Sequence, residues 1–153
     1  MADELSERLK LCIAIEANIG EIYREFADMF PKARSLWGQL AREEENHASI
    51  LAVGSRYANL GKLPDYVLPD SLAHMRETLG LVASVRAAAQ AKSISINEAL
   101  EMSLTLEETL EESHLPDMMT RETQSEVVSR LQRLLKDTRS HIVKIKDYMK
   151  RSD

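Results

Sequence analysis

Cysteine is almost missing from this chain of 153 residues: Cys12 stands alone. One thiol excludes an intramolecular disulfide and any site built from several thiolates. Aromatics are sparse, with one Trp, two Phe and four Tyr, and only five Gly and four Pro interrupt the sequence. That is too little punctuation for a run of short strands. No apolar stretch is long enough to span a bilayer, and Met1 to Lys10 is polar and acidic, unlike a signal peptide. There is no block of Lys or Arg, and the net charge is −5, so neither a membrane nor a nucleic-acid partner is expected. What fills the chain is Ala, Leu, Glu, Lys and Arg, the residues of helices. A single all-α domain over 1–153 follows, with a cytoplasmic location as the default.

Four stretches carry a helical seam of apolar or small residues, each interrupted by residue types that bind metals. The first reads Leu9, Ile13, Glu16, Gly20, Tyr23, Ala27, Phe30, and the second Trp37, Leu40, Glu44, His47, Leu51. The third reads Leu100, Ser103, Glu107, Leu110, His114, and the fourth Leu131, Leu134, Thr138, His141, Ile145, Tyr148. Alternating steps of three and four hold such residues on one helix face, the face that packs inward in a bundle. A buried carboxylate without compensation would protonate or be lost. Glu16, Glu44, His47, Glu107 and His141 converging on one core therefore point to a cation between them.

The first helix should run from about Asp3 or Ser6 to Phe30, with Pro31 ending it or opening the next. The second follows a very short corner, so the two are antiparallel neighbours, and it fades between Gly54 and Gly61. Gly20 on the first seam either admits a close neighbour or is tolerated slack. Residues 61–70 read as a loop, and a further helix over about 71–90 belongs to a long connection. Ser95 with Glu98 is a capping box opening the third main helix, and Thr123 with Glu126 is another opening the fourth. Pro116 should kink or stop the third helix. Two antiparallel helical hairpins joined by a long crossover with an extra helix make a ferritin-like four-helix bundle.

Carboxylate-bridged di-metal bundles need two helices giving one Glu each and two giving Glu-x-x-His, whose spacing sets both side chains on one face. Hard oxygen donors with one nitrogen per metal suit iron or manganese better than copper. The run from Glu16 to Ala27, with Tyr23 inside it, and the run Leu40 to Ala48 around Glu44 and His47 resemble the first two helices of the rubrerythrin family. Residues 99–107 are similar to that family's third helix. The resemblance implies a ferritin-like di-iron carboxylate protein, an oxidoreductase acting on peroxide or dioxygen. It places Glu16, Glu44, His47, Glu107 and His141 as ligands, Glu16 and Glu107 as bridges, and Tyr23 beside the site. Two irons per chain are the implied cofactor, with Mn or Zn as substitutes, and a homodimer is the implied assembly.

Two departures qualify that expectation. The family's rubredoxin-like centre needs four cysteines, so an enzyme of this kind would take electrons from a separate donor. The glutamate expected three residues before His141 is Thr138. Asp137 would replace it from a displaced angle, or the site holds one metal, or an outside anion completes it. The alternative from another class is a non-enzymatic metal-binding, sensing or degenerate structural bundle. Asp137, Glu111 and His114 are candidates for further ligands or for the surroundings of the site. Glu43, Glu45, Glu101, Glu108 and Glu112 read as solvated charges, His74 as a surface residue, Trp37 and Tyr148 as core, and Met118 and Met119 as packing at a helix end.

Overall fold

A computed structural model describes residues 2–61, 71–113 and 125–152. Among them are five α-helices, one 3-10 turn and no strand. Helix α1 spans Ala2–Met29 and α2 spans Arg34–Asn59, separated by the turn Pro31–Ala33. Helices α3, α4 and α5 cover Leu72–Ala91, Ile96–Ser113 and Glu126–Ser152. None of the described helices is long and apolar enough to cross a membrane. Pro116, Met118, Met119, Thr123 and His114 lie outside the described residues.

Local chemistry sets the helix ends. Pro31 sits in the first turn of the 3-10 segment, where its missing N–H costs nothing, and Ala33 N–H closes that turn on Phe30 O at 2.9 Å. Helix α2 ends at Asn59, between Gly54 and Gly61 as expected; Gly54 is buried inside it, where an added Cβ would stand 3.9 Å from the Leu9 and Leu131 side chains. Just past its C-cap Leu60 comes Gly61, whose φ of +70° suits a residue without a Cβ and whose N–H bonds Ala58 O. Ser95 and Glu98 form the reciprocal capping box at the head of α4, each 3.1 Å from the other's backbone N–H. At the head of α5 the hydroxyl of Ser125 accepts from Val128 N–H, so the cap in the structure is Ser125.

Side-chain pairs fix the helix directions. Leu9 lies against Gly54, Gly20 against Ala41 and Glu44, and Phe26 against Trp37, so α1 and α2 run antiparallel. Glu107 meets His141 and Glu111 meets Arg139, which makes α4 and α5 antiparallel too. Helix α3 runs alongside α1 in the same sense, tied by Arg76 to Glu7 near one end and by Arg86 to Asn18 and Glu21 further on. It also packs on α4. Helix α3 thus carries the chain back along the outside before α4 begins. The result is an all-helical, bundle-like packing.

The buried apolar residues fall into two clusters. One holds Ile19, Ile22, Tyr23, Phe26, Trp37, Leu40, Leu100, Leu106 and Ile145, and Trp37 donates to Ser103 Oγ at 3.1 Å to tie α2 to α4. The other holds Leu9, Cys12, Leu51, Met75, Val128, Leu131 and Leu134. On α1, α2 and α5 the boundary between the clusters falls at Glu16, at Glu44 with His47, and at Thr138 with His141. A polar layer divides the core.

Candidate metal centre

That layer is dry. Glu44, Glu107 and His141 have no exposed surface, His47 is 1% exposed and Glu16 6%. The five residues expected from the seams come together, two from α2 and one each from α1, α4 and α5. They form two groups whose ligand atoms lie within 4.8 Å of one another, Glu16 with Glu44 and His47, and Glu44 with Glu107 and His141. Each group has two carboxylates and one imidazole, and Glu44 belongs to both.

Both imidazoles are oriented alike. His47 Nδ1 faces Glu44 and Glu16 at 3.5 and 3.7 Å, and His141 Nδ1 faces Glu44 and Glu107 at 3.0 and 3.2 Å. The opposite nitrogens point outward to carboxylates, His47 Nε2 to Asp137 at 3.0 Å and His141 Nε2 to Glu43 at 3.1 Å. An ionised carboxylate can only accept, so each Nε2 donates, and a neutral ring then turns the Nδ1 lone pair inward. This is the tautomer that a metal-ligating histidine needs, set by an outer carboxylate. The two rings stack nearly parallel, with centroids 5.7 Å apart.

Charge in the layer is poorly balanced by protein contacts alone. Both oxygens of Glu44, Oε2 of Glu107 and Nδ1 of His47 are buried without an aligned hydrogen bond. Burial, reinforced by the charges of Glu16 and Glu107, pushes the Glu44 carboxyl well above its usual range. Burial works against a charged His47, yet the carboxylates of Glu16 and Glu44 outweigh it and push the imidazole up to about 11. His141 is raised in the same way, burial opposing and Glu107 and Glu43 prevailing. Without a cation, the layer holds protons in its place. Tyr23 donates to Glu107 Oε1 at 2.8 Å, and burial together with that carboxylate raises its phenol well above its ordinary value. Tyr23 is thus beside the site, as expected.

Other expectations need correction. Asp137 does not enter among the inward donors; its side chain is 45% exposed and reaches the outer nitrogen of His47, so of its two expected places it takes the one around the site. Thr138 is buried, but its hydroxyl donates to Leu134 O at 3.1 Å, one turn back on its own helix. Glu111 pairs with Arg139 at 3.3 Å near the surface and does not face the layer. Glu43, read from the sequence as a solvated charge, is half-buried and bridges His141 to Lys144. Sequence reasoning missed Glu43 because it lies one residue off the α2 seam; only the position of α5 brings His141 within reach. His74 is half-buried in the first turn of α3 and belongs to neither group.

No family model, curated protein or solved structure matches the chain.

Proposed function

We propose that this protein binds two divalent transition-metal ions side by side in the polar layer, and that it is a rubrerythrin-like, ferritin-like carboxylate protein acting as an oxidoreductase on peroxide or dioxygen. The observation that carries the metal reading is the pair of three-residue donor groups sharing Glu44. Neither group contains both histidines, which favours two ions over one. Three carboxylates and two neutral imidazoles form a hard donor set suited to iron or manganese, and zinc fits the same ligands. The buried atoms that lack aligned hydrogen bonds are the atoms a cation would satisfy. The helix directions, with α1 and α5 running one way, α2 and α4 the other, and α3 on the outside, suit the crossover of a ferritin-like bundle.

When bound, such ions supply Lewis acidity and one-electron chemistry toward an oxidant. The protein's own part is positional. Glu44 spans the two groups, Glu16 and Glu107 close them from opposite sides, and Asp137 and Glu43 hold the imidazoles in register. Tyr23 is placed to hold or donate a proton at Glu107 Oε1. The apolar clusters on either side keep bulk water from the layer. Electrons would come from a separate donor protein, since one buried cysteine supplies no second redox centre. The rival reading, a bundle that binds metal without turnover, is favoured by Thr138, which offers no ligand.

Metal analysis of protein purified without added metal tests the reading. Iron, manganese or zinc should be present, and Glu44→Ala should lose both ions because it opens both groups. His47→Ala should lose one ion, whereas Glu45→Ala, paired with Arg24 on the surface, should lose none. Metal-free protein whose melting temperature does not respond to Fe(II), Mn(II) or Zn(II) would overturn the proposal.

A further inference from the structure

Two neighbouring helices carry stripes of opposite charge on their outer faces. On α4 the exposed stripe is Glu98, Glu101, Thr105, Glu108 and Glu112, spaced by three and four. On α5 it is Lys136, Arg139, Val143, Lys146 and Lys150, spaced alike. Each stripe stacks like charges at i,i+3 and i,i+4, an arrangement that destabilises a helix on its own. Among the described residues, the side chains of Glu101, Glu108, Glu112, Lys136, Lys146 and Lys150 have no hydrogen-bond or ion-pair partner. At the centre of the basic stripe, Val143 is 56% exposed.

The stripes are also level with each other. Glu107 meets His141 and Glu111 meets Arg139, so each step along α4 is a step back along α5. Counting from those contacts, Glu112 lies level with Lys136, Glu108 with Arg139, Thr105 with Val143, Glu101 with Lys146 and Glu98 with Lys150. A two-fold axis parallel to the helices and above the α4–α5 seam preserves every level while exchanging the helices. It would set the acidic stripe of one molecule against the basic stripe of another, twice, with the Val143 and Thr105 level in the middle. A two-fold axis across the helices would instead oppose acid to acid.

We propose that the α4–α5 face is a self-complementary docking surface for a second copy of this chain. The occupant is a second copy because both halves of the complement lie on one molecule at matched levels, as an isologous contact requires. Helix α4 is about 27 Å long by its rise per residue, and two helices side by side are about 20 Å wide. About 500 Å² per partner puts the contact at the low end of specific interfaces, so the dimer is weak and reversible. Exposed ion pairs contribute little each and are screened, so association falls as salt rises. The inference is independent of the metal reading.

Light scattering on the intact protein at about 0.05 M and 0.5 M salt, which spans most of the screening range, is the first measurement. Twice the 17.3 kDa chain mass is expected at low salt, falling toward one chain at high salt. One variant then combines Glu101→Lys with Glu112→Lys, and a second combines Lys136→Glu with Lys146→Glu. All four positions are exposed, so circular dichroism should show both variants folded. Each variant alone should be monomeric at low salt, and an equal mixture should regain the dimer, because both pairs of stripes become complementary again. A wild-type monomer at low salt would overturn the proposal. So would a dimer that survives in either variant alone, or a mixture that stays monomeric.

Discussion

At the residue scale the most telling side chain is Glu44, buried completely and common to both donor groups. Its neighbours divide sharply by direction. Glu45 lies on the surface with Arg24, whereas Glu43 reaches sideways to His141. Outer carboxylates of this kind typically change metal affinity by about 10–100-fold. Glu43→Ala and Asp137→Ala should therefore weaken binding by roughly that factor while leaving the stoichiometry intact, read by titration with a competing chelator. Loss of a whole ion in Asp137→Ala would instead make Asp137 a ligand. Thr138 is the other decisive residue. Three glutamates would leave one positive charge of the two proposed divalent ions uncompensated, and Thr138→Glu would supply the missing carboxylate beside His141. Its metal affinity should rise, while its metal-free form should lose more than about 1 kcal/mol, because another buried carboxyl has no partner there. A variant with unchanged affinity and unchanged metal-free stability would mean that position 138 does not face the site.

At the scale of elements, the polar layer depends on how closely α1 and α2 approach. A Cβ built on Gly20 would stand 3.5 Å from Glu45 Cγ, 3.6 Å from Glu44 Cβ and 3.7 Å from Ala41 O. These are ordinary contact distances, so alanine fits, with its Cβ already in contact with α2. Gly20→Ala should raise stability by about 0.5–1 kcal/mol through helix propensity, without disturbing Glu44. Gly20→Leu should instead push α2 outward and cost metal as well as stability. Denaturant unfolding with metal analysis on both variants separates the two; a destabilised alanine variant would show that the gap at Gly20 is tighter than these distances. The aromatic corner of Phe26, Phe30 and Trp37, with centroids 5.2 to 6.4 Å apart, fixes the turn that sets this approach.

For the whole molecule, the proposed metal would compete with protons for the same core. Without metal, His47 is raised from its ordinary value of 6.5 to about 11 in the folded state. A raised folded value means that the stabilisation from its charge is complete below about pH 6.5 and is lost progressively as pH rises toward 11. The raised carboxyl of Glu44 acts with the same sign. Chelator-treated protein should therefore melt at a lower temperature at pH 8.5 than at pH 6.5, and His47→Ala should flatten that slope. Metal needs the ligands deprotonated, so the rise in melting temperature on adding metal should grow over the same range. Equal pH slopes with and without metal would contradict this coupling. Much of this was legible in the chain itself. Heptad spacing put Glu16, Glu44, His47, Glu107 and His141 on inward faces, and Ser95 with Glu98 announced the start of α4, because periodicity and capping are local properties. The sharing of Glu44, the outward reach of Asp137 and the recruitment of Glu43 were decided only when α5 packed against α2. Those contacts join residues about a hundred positions apart, and which rotamer reaches which partner depends on helix rotation and separation that no local pattern encodes.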